Sequence, residues 1–265
     1  NRQLLVNGNA ASVTGSNYSG QRPTVVIVHG WVGNGNHQVN TLVRAAFLHV
    51  QDCNVITLDW SGVAGQNYVN AVSGVPNVGQ HLGNFLSFLV NTAGGNWNNF
   101  HLIGFSLGAH VIASAGLGQN IVKLLFADPA GPLWRLNDNS LKENDAQYVE
   151  GIHTDGGIQG ILNPIGDVDF YPNGGQNQPG CDSSSCNHRR SYELFASSVI
   201  SGHLYSFNEP LPKGSLEELI LLFNLLNFLF QERFIWSSNF GCLAILIKIR
   251  INTIMKESSN KHFIK

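Results

Sequence analysis

The stretch FHLIGFSLGAHVIASAGL, residues 100 to 117, decides the fold because it joins a strand pattern directly to a helix pattern. Its apolar run FHLIG ends in glycine, Ser106 follows within GFSLG, and LGAHVIASAGL has helical spacing. The flanking glycines permit a strained turn that exposes a serine hydroxyl at the carboxyl edge of a sheet. An ordinary glycine-rich turn also fits these letters. The strand before and the helix after favour a nucleophile elbow with Ser106 as the nucleophile.

The rest of the chain repeats this alternation of strands and helices. Continuous apolar strands separated by amphipathic helices indicate a mostly parallel sheet that is covered on both faces. We therefore predict a doubly wound α/β domain. Strands are predicted at 24–30, 54–60, 100–104, 121–128 and 147–154, and helices at 40–50, 78–90, 107–117 and 191–200.

Composition narrows the classes of protein. Charged residues make up 12% of the 265 residues, against about 25% in an average soluble domain, and the formal net charge is -2. No basic block is present, so we expect no nucleic-acid partner. The chain starts at Asn1 without an initiator Met, which suits a mature or truncated product. Four cysteines and the sequon Asn17-Tyr18-Ser19 lead us to expect secretion into an oxidising, extracellular environment.

A serine nucleophile needs a base, and the base needs an acid that orients it, in the chain order Ser, acid, His. Two acids close strands after Ser106, namely Asp128 and Asp155, and their positions leave both open. His188 lies in a predicted loop before a helix, where a catalytic imidazole is commonly mounted. Three other histidines follow an acid: His153, which lies in a strand pattern, His203, and His262, which lies in an atypical tail.

An oxyanion requires two N–H donors. We predict the backbone N–H of Leu107, the residue after the serine, and an N–H from the loop that follows an early strand. The stretch VIVHGW, residues 26 to 31, supplies that loop, with Gly30 permitting close approach and Trp31 offering its N–H. The same letters also fit a strand end with an aromatic plug.

The stretch PGCDSSSCNHRRS, residues 179 to 191, has three interpretations. Four residues separate Cys181 from Cys186, and His188 follows two positions later. This spacing fits a metal knuckle, a disulfide loop or the mount of a catalytic histidine.

Several motifs taken in order resemble the animal lipase family of pancreatic lipase, with closest similarity to its insect members and to wasp-venom phospholipases A1. The resemblance covers about residues 20 to 207 and rests on VIVHGW, NVITLDW, HLIGFSLGAHV, ADPAGPLW, IHTDGG, PIGDVDFYPNGGQNQPGC and CNHRRSYELFASS. It implies the α/β-hydrolase fold and a triad of Ser106, Asp128 and His188. It also implies oxyanion donors at Trp31 and Leu107 and a disulfide between Cys181 and Cys186, which leaves a zinc knuckle without its ligands.

The chain departs from the family at both ends. We predict an N-terminally short catalytic domain at 1–210 and an apolar tail at 211–265 that does not match the family. A buried helix plus strand, sequence foreign to the native domain and a membrane-associating segment all fit this tail. Cys53 and Cys242 have no assured partners. The segment RLNDNSLKENDAQ, residues 135 to 147, matches the calcium ligands of vertebrate members at most through Asp145, so we predict no metal and no cofactor.

These observations predict a secreted carboxylic-ester hydrolase that acts on glycerolipids or phospholipids at a lipid surface. Triacylglycerol, galactolipid and phospholipase A1 substrates share the machinery, so the residues do not separate them. No apolar run reaches the 18 residues of a membrane span. The alternative is a non-catalytic lipid-binding or yolk-type storage protein of the same fold. Such proteins have lost the serine, whereas Ser106, Asp128 and His188 stand here in order.

Overall fold

The computed structural model describes residues 2–116 and 121–201 and the backbone of residues 250 and 251. Its centre is a sheet of six parallel strands, to which one short antiparallel strand is added at the edge. The spatial order is β2-β1-β3-β4-β5-β6-β7. The strands are β1 (Thr24–Val28), β2 (Asn54–Leu58), β3 (Phe100–Phe105), β4 (Lys123–Ala127), β5 (Tyr148–Ile152), β6 (Val168–Tyr171) and β7 (Arg250–Ile251).

Helices cover both faces of the sheet. They are α1 (Ala10–Thr14), α2 (Gln38–Val50), α3 (Ser61–Ala64), α4 (Tyr68–Ala93), α5 (Leu107–Gly116) and α6 (Ser184–Ser201), with 3-10 turns at Trp97–Asn99 and Pro172–Gly175. Helix α4 packs on α5 and helix α2 packs on α6. The sequence of β1 is continuously apolar because both faces of the strand are buried. Val26 and Val28 join one core cluster, while Val25 and Ile27 join the other. The predicted doubly wound α/β fold is confirmed.

Three local predictions were wrong or incomplete. Helix α4 begins ten residues before the predicted start, because its buried residues continue through Pro76 and its glycines pack against α5. Strand β6 lies in a Gly/Pro/Asn-rich stretch for which no strand was predicted. His188 lies inside α6 and not in a loop before a helix. The polar serine run was not recognised as the start of α6. Ser183 caps this helix, since its hydroxyl accepts from the backbone N–H of Cys186 at 3.3 Å.

The predicted tail at 211–265 lies outside the described residues, apart from the backbone of 250 and 251. Cys242, His203 and His262 are also outside the described residues. Among the helices that the structure does describe, none combines the length and apolarity needed to cross a bilayer.

Candidate active site

Ser106 is the single residue between β3 and α5. Its backbone φ is 56°, in the left-handed region that residues other than glycine rarely adopt. The glycines around it are required by close contacts: a Cβ on Gly104 would lie 2.4 Å from the Gly108 carbonyl oxygen, and one on Gly108 would lie 2.3 Å from the Val28 carbonyl oxygen. The predicted sharp strand-to-helix turn is therefore present, with strain at the residue proposed to react.

His188 forms a buried pair with Asp128, which follows β4. The distance from His188 Nδ1 to Asp128 Oδ2 is 2.6 Å. Asp128 Oδ1 accepts the backbone N–H groups of Thr154 and Asp155 at 2.8 and 3.2 Å. These three donors compensate a negative charge that is buried completely. The carboxylate is thus fixed in position and able to hold the imidazole in one orientation.

The serine, the acid and the histidine meet at the same edge of the sheet. Strands β3 and β4 are neighbours, and the Ser106 N–H donates to the carbonyl of Ala127, which precedes Asp128. The ring of His188 packs on Phe105, the residue before Ser106, with the ring centroids 4.6 Å apart. This edge of the sheet therefore carries Ser106 and the His188–Asp128 pair, and Asp128 is the acid that the family resemblance had indicated.

Asp155 is buried beside this pair but has different partners. Its Oδ2 accepts from the Ser184 hydroxyl at 2.5 Å and from the backbone N–H of Gln159 at 3.1 Å. Only its backbone N–H reaches Asp128. Sequence reasoning treated Asp155 as a rival acid and missed that Thr154 and Asp155 supply main-chain donors. The adjacency of β4 and β5 is the signal that would have found them.

Three side chains in the described ranges stand close enough to hold a metal ion: Asp128, Asp155 and His188, whose ligand atoms all lie within 4.8 Å of one another. The 2.6 Å contact between His188 and Asp128 has the length of a hydrogen bond, and Asp155 already accepts two hydrogen bonds. The arrangement therefore suits proton transfer better than metal binding.

The predicted oxyanion loop lies against Ser106. A Cβ on Gly30 would stand 2.8 Å from Ser106 Cβ and 3.3 Å from its Oγ. The indole N–H of Trp31 donates to the Gln66 carbonyl at 2.8 Å, so the indole is not the free donor. Within the described residues, the backbone N–H groups of Trp31 and Leu107 have no protein acceptor. These two groups are available to a ligand.

The cysteines before His188 form a disulfide with an S–S distance of 2.03 Å. A metal knuckle at Cys181 and Cys186 is excluded, because both sulfur atoms are bonded to each other. Cys53 is buried and has no disulfide partner among the described residues, and burial is the main cause that raises the pKa of its thiol to about 11.

His153 is a buried histidine with a separate set of partners. Its ring nitrogens lie 2.6 Å from the Ile161 carbonyl oxygen and 2.7 Å from Asp169 Oδ1. The sequence placed His153 in a strand pattern, and the structure puts it directly after β5 with both ring nitrogens within hydrogen-bond distance of an oxygen. The partner Asp169 lies on β6, which the sequence did not predict.

The parallel sheet and the serine on its strand-to-helix turn define an α/β hydrolase. Residues 1–208 match the Lipase family, and the chain belongs to this family, that of pancreatic lipase. It is 31% identical over 230 residues to pancreatic triacylglycerol lipase of Myocastor coypus, covering 76% of this chain and 50% of that protein. It is 32% identical over 226 residues to lipoprotein lipase of Bos taurus, covering 74% and 47%.

The chain spans about half the length of these curated relatives. Among solved structures, it is similar to a hydrolase of the alpha/beta superfamily from Xanthomonas campestris pv. campestris. That similarity has a TM-score of 0.39 at 14% identity and covers 50% of this chain and 71% of the other.

Proposed function

We propose that this chain hydrolyses carboxylic esters of glycerolipids with Ser106 as nucleophile, His188 as general base and then acid, and Asp128 as the group that orients His188. The observation that carries the proposal is the buried hydrogen bond from His188 Nδ1 to Asp128, beside a serine on a strained turn. Because Nδ1 carries the proton given to Asp128, Nε2 has the lone pair that a general base needs.

The proposed reaction has two halves. Ser106 Oγ attacks the ester carbonyl carbon while His188 Nε2 takes its proton, and the oxyanion receives hydrogen bonds from the backbone N–H groups of Trp31 and Leu107. The tetrahedral intermediate collapses, the C–O bond to the alcohol breaks, and His188 returns the proton to the leaving alcohol. Water then attacks the acyl-enzyme by the same route and releases the fatty acid. No metal or cofactor takes part in this scheme.

The substrate class follows from relatives named as triacylglycerol and lipoprotein lipases. Phospholipase A1 activity uses the same groups and belongs to the proposal as the second specificity. The disulfide and the exposed sequon residue Asn17 support secretion. A yolk-type storage role is disfavoured, because Ser106, Asp128 and His188 are all present in order and His188 is hydrogen-bonded to Asp128.

The first test is hydrolysis of p-nitrophenyl butyrate, a soluble ester. Ser106→Ala or His188→Ala should lower kcat by about 10⁴- to 10⁶-fold, because the two side chains act as one unit. Ser114→Ala is the matched control: this serine lies on α5, and its hydroxyl donates only to the His110 carbonyl. It should keep nearly full activity. Wild-type protein that neither hydrolyses the ester nor is labelled at Ser106 by an alkyl phosphonate would contradict an enzymatic role.

A further inference from the structure

His29 is a buried histidine at the end of β1 whose hydrogen bonds define its tautomer. The backbone N–H of Trp60 points at His29 Nε2 at 3.3 Å, and a carboxylate oxygen of the half-exposed Asp59 lies 3.8 Å from the same nitrogen. The shorter contact comes from an N–H donor, so Nε2 is the acceptor. The other nitrogen, Nδ1, lies 2.9 Å from the Gly30 carbonyl oxygen, so it must carry the proton and donate. Burial is the main cause that lowers the pKa of His29, which favours this neutral ring.

Several contacts hold the ring of His29. It stacks on the indole of Trp60 with a centroid distance of 5.6 Å and an interplanar angle of 19°. The same indole donates its N–H to the His29 carbonyl at 2.9 Å. On the other side, a Cβ on Gly33 would lie 2.5 Å from His29 Nδ1, so only glycine fits there. The ring therefore has one orientation, with Nδ1 directed at Gly30.

This contact fixes the peptide that links Gly30 to Trp31. In a trans peptide the carbonyl oxygen and the following N–H point in opposite directions. The Gly30 oxygen accepts both from His29 Nδ1 and from the Gly33 N–H at 3.2 Å. Anchoring that oxygen on the His29 side directs the Trp31 N–H to the other side. Val32, the next residue, has a φ of 53°, which is strained for a β-branched side chain, so the loop needs such restraints.

We propose that His29 is a positioning residue that holds the backbone N–H of Trp31 in the orientation needed to stabilise the oxyanion. The inference rests on the proposed function, since it assigns His29 a role in the same reaction. His29 does not contact substrate in this role; it acts through the Gly30–Trp31 peptide.

The test compares His29→Gln with His29→Asn. The Gln amide reaches the position of Nε2 and retains the contact with Trp60, but it removes the donor to Gly30. The Asn amide nitrogen occupies the position of Nδ1 and restores that donor. Because an oxyanion donor acts mainly in the transition state, His29→Gln should lower kcat by about 10- to 100-fold with KM within about threefold. Its affinity for butylboronic acid, which forms a tetrahedral adduct with the serine, should fall by a similar factor. His29→Asn should recover most of both.

His110→Gln is the matched control for loss of a buried histidine. His110 also bridges a carbonyl and a backbone N–H, those of Ala130 and Leu141, and it stacks on the indole of Trp134. It should lose stability without a selective loss of boronate affinity. Equal losses of boronate affinity in both Gln variants, or none in His29→Gln, would overturn the inference.

One measurement on the wild-type protein depends neither on variant folding nor on activity. A ¹H–¹⁵N correlation spectrum of the imidazole groups should show the His29 proton on Nδ1. A proton on Nε2 would overturn the inference and leave the proposed function standing. A wild-type protein without esterase activity would overturn both.

Discussion

At the scale of single residues, two buried carboxylates lie near His188, and only one of them holds it. Asp128 receives the imidazole N–H, whereas the carboxylate of Asp155 accepts from Ser184 and Gln159. An amide at position 128 would turn an acceptor into a donor and favour the wrong imidazole tautomer. Asp128→Asn should therefore lower kcat/KM for a soluble ester by about 10³- to 10⁴-fold.

Asp155→Asn serves as the comparison for that prediction. It keeps the backbone N–H that reaches Asp128, so it should change kcat/KM little. If the two substitutions prove equally damaging in the same assay, Asp128 is not the unique acid.

The sequence predicted a serine nucleophile with a histidine base, but not which of the two carboxylates is the acid. The order Ser, acid, His and the strand ends can be read from the sequence, and Ser106 follows from its turn. The choice between Asp128 and Asp155 depends on which carboxyl oxygen faces His188, and the resemblance rather than the letters indicated it. The geometry requires a φ of 45° at Asp128 and a Cβ-free approach by Gly160, 32 residues later in the chain. Such long-range contacts leave no periodic signal.

At the scale of elements, the disulfide loop that spans the start of α6 is too short to act as a lid. Only residues 182–185 lie between the bonded cysteines, whose Cα atoms are 5.4 Å apart, and all four are polar. Four extended residues reach about 14 Å at most. A lid must bury an apolar mouth in water and open at a lipid surface. We therefore expect little or no interfacial activation, and phospholipid accepted at least as readily as long-chain triacylglycerol.

The measurement is initial rate against the concentration of a short-chain ester, carried through its solubility limit. The rate should follow a smooth saturation curve. The segment 156–180 is the other element near the site, and it is tied down through β6 and the contact between His153 and Asp169. A jump in rate at the limit would show that a working lid exists, and this prediction would be wrong.

Helix α5 is connected to the loop after β4 by His110, which gives stability a pH dependence. Complete burial lowers the pKa of His110 to about 4, whereas an unfolded histidine titrates near 6.5. Between these values the unfolded chain binds more protons, so stability falls as the pH falls. The contribution is complete above about pH 6.5 and is reduced by about 3 kcal/mol on reaching pH 4.

Denaturant unfolding of wild type and His110→Gln at pH 7, 6, 5 and 4 tests the predicted pH dependence of stability. The Gln variant should be less stable at pH 7, since it leaves the Leu141 N–H without its acceptor. The gap between the two proteins should narrow as the pH falls. A gap that stays constant from pH 7 to pH 4 would show that His110 does not titrate on unfolding.

The elements that sequence analysis missed share a physical cause. Pro76 and Gly74 lower helix propensity, yet packing against α5 carries α4 through both of them. Strand β6 has only four residues between turn-forming letters, so its pattern is too short to detect. Tertiary contacts override local preference in both places.

At the scale of the whole molecule, exposed apolar side chains gather around the candidate active site. Seven of the twelve large exposed apolar residues in the described chain follow the carboxyl ends of strands: Trp31, Val32, Val69, Leu133, Leu136, Ile158 and Leu162. We call these seven the apolar rim. The chain segments that carry the rim contact one another. Trp31 packs on Tyr68, and the Tyr68 hydroxyl donates to the Pro132 carbonyl. Arg135 donates to the Gly157 carbonyl.

The apolar rim fits the proposed action at a lipid surface, because contiguous apolar patches on a protein mark interaction sites. Arg135 is the only charged residue in the four segments that carry the rim, residues 31–34, 66–69, 132–136 and 157–162. Binding should therefore depend little on anionic lipid or on salt.

Leu133→Asn tests the apolar rim without a penalty in folding. Leu133 is 57% exposed, and its φ of 64° is one that asparagine adopts more readily than leucine. Stability should hold or rise, while loss of one leucine from the lipid contact, worth about 1–2 kcal/mol, should weaken vesicle binding about 5- to 30-fold. Sedimentation with phosphatidylcholine vesicles in a Ser106→Ala background measures this. Leu48→Gln, an equally exposed leucine on α2, should bind as the parent does. Equal weakening by both substitutions would mean that the apolar rim is not the lipid contact.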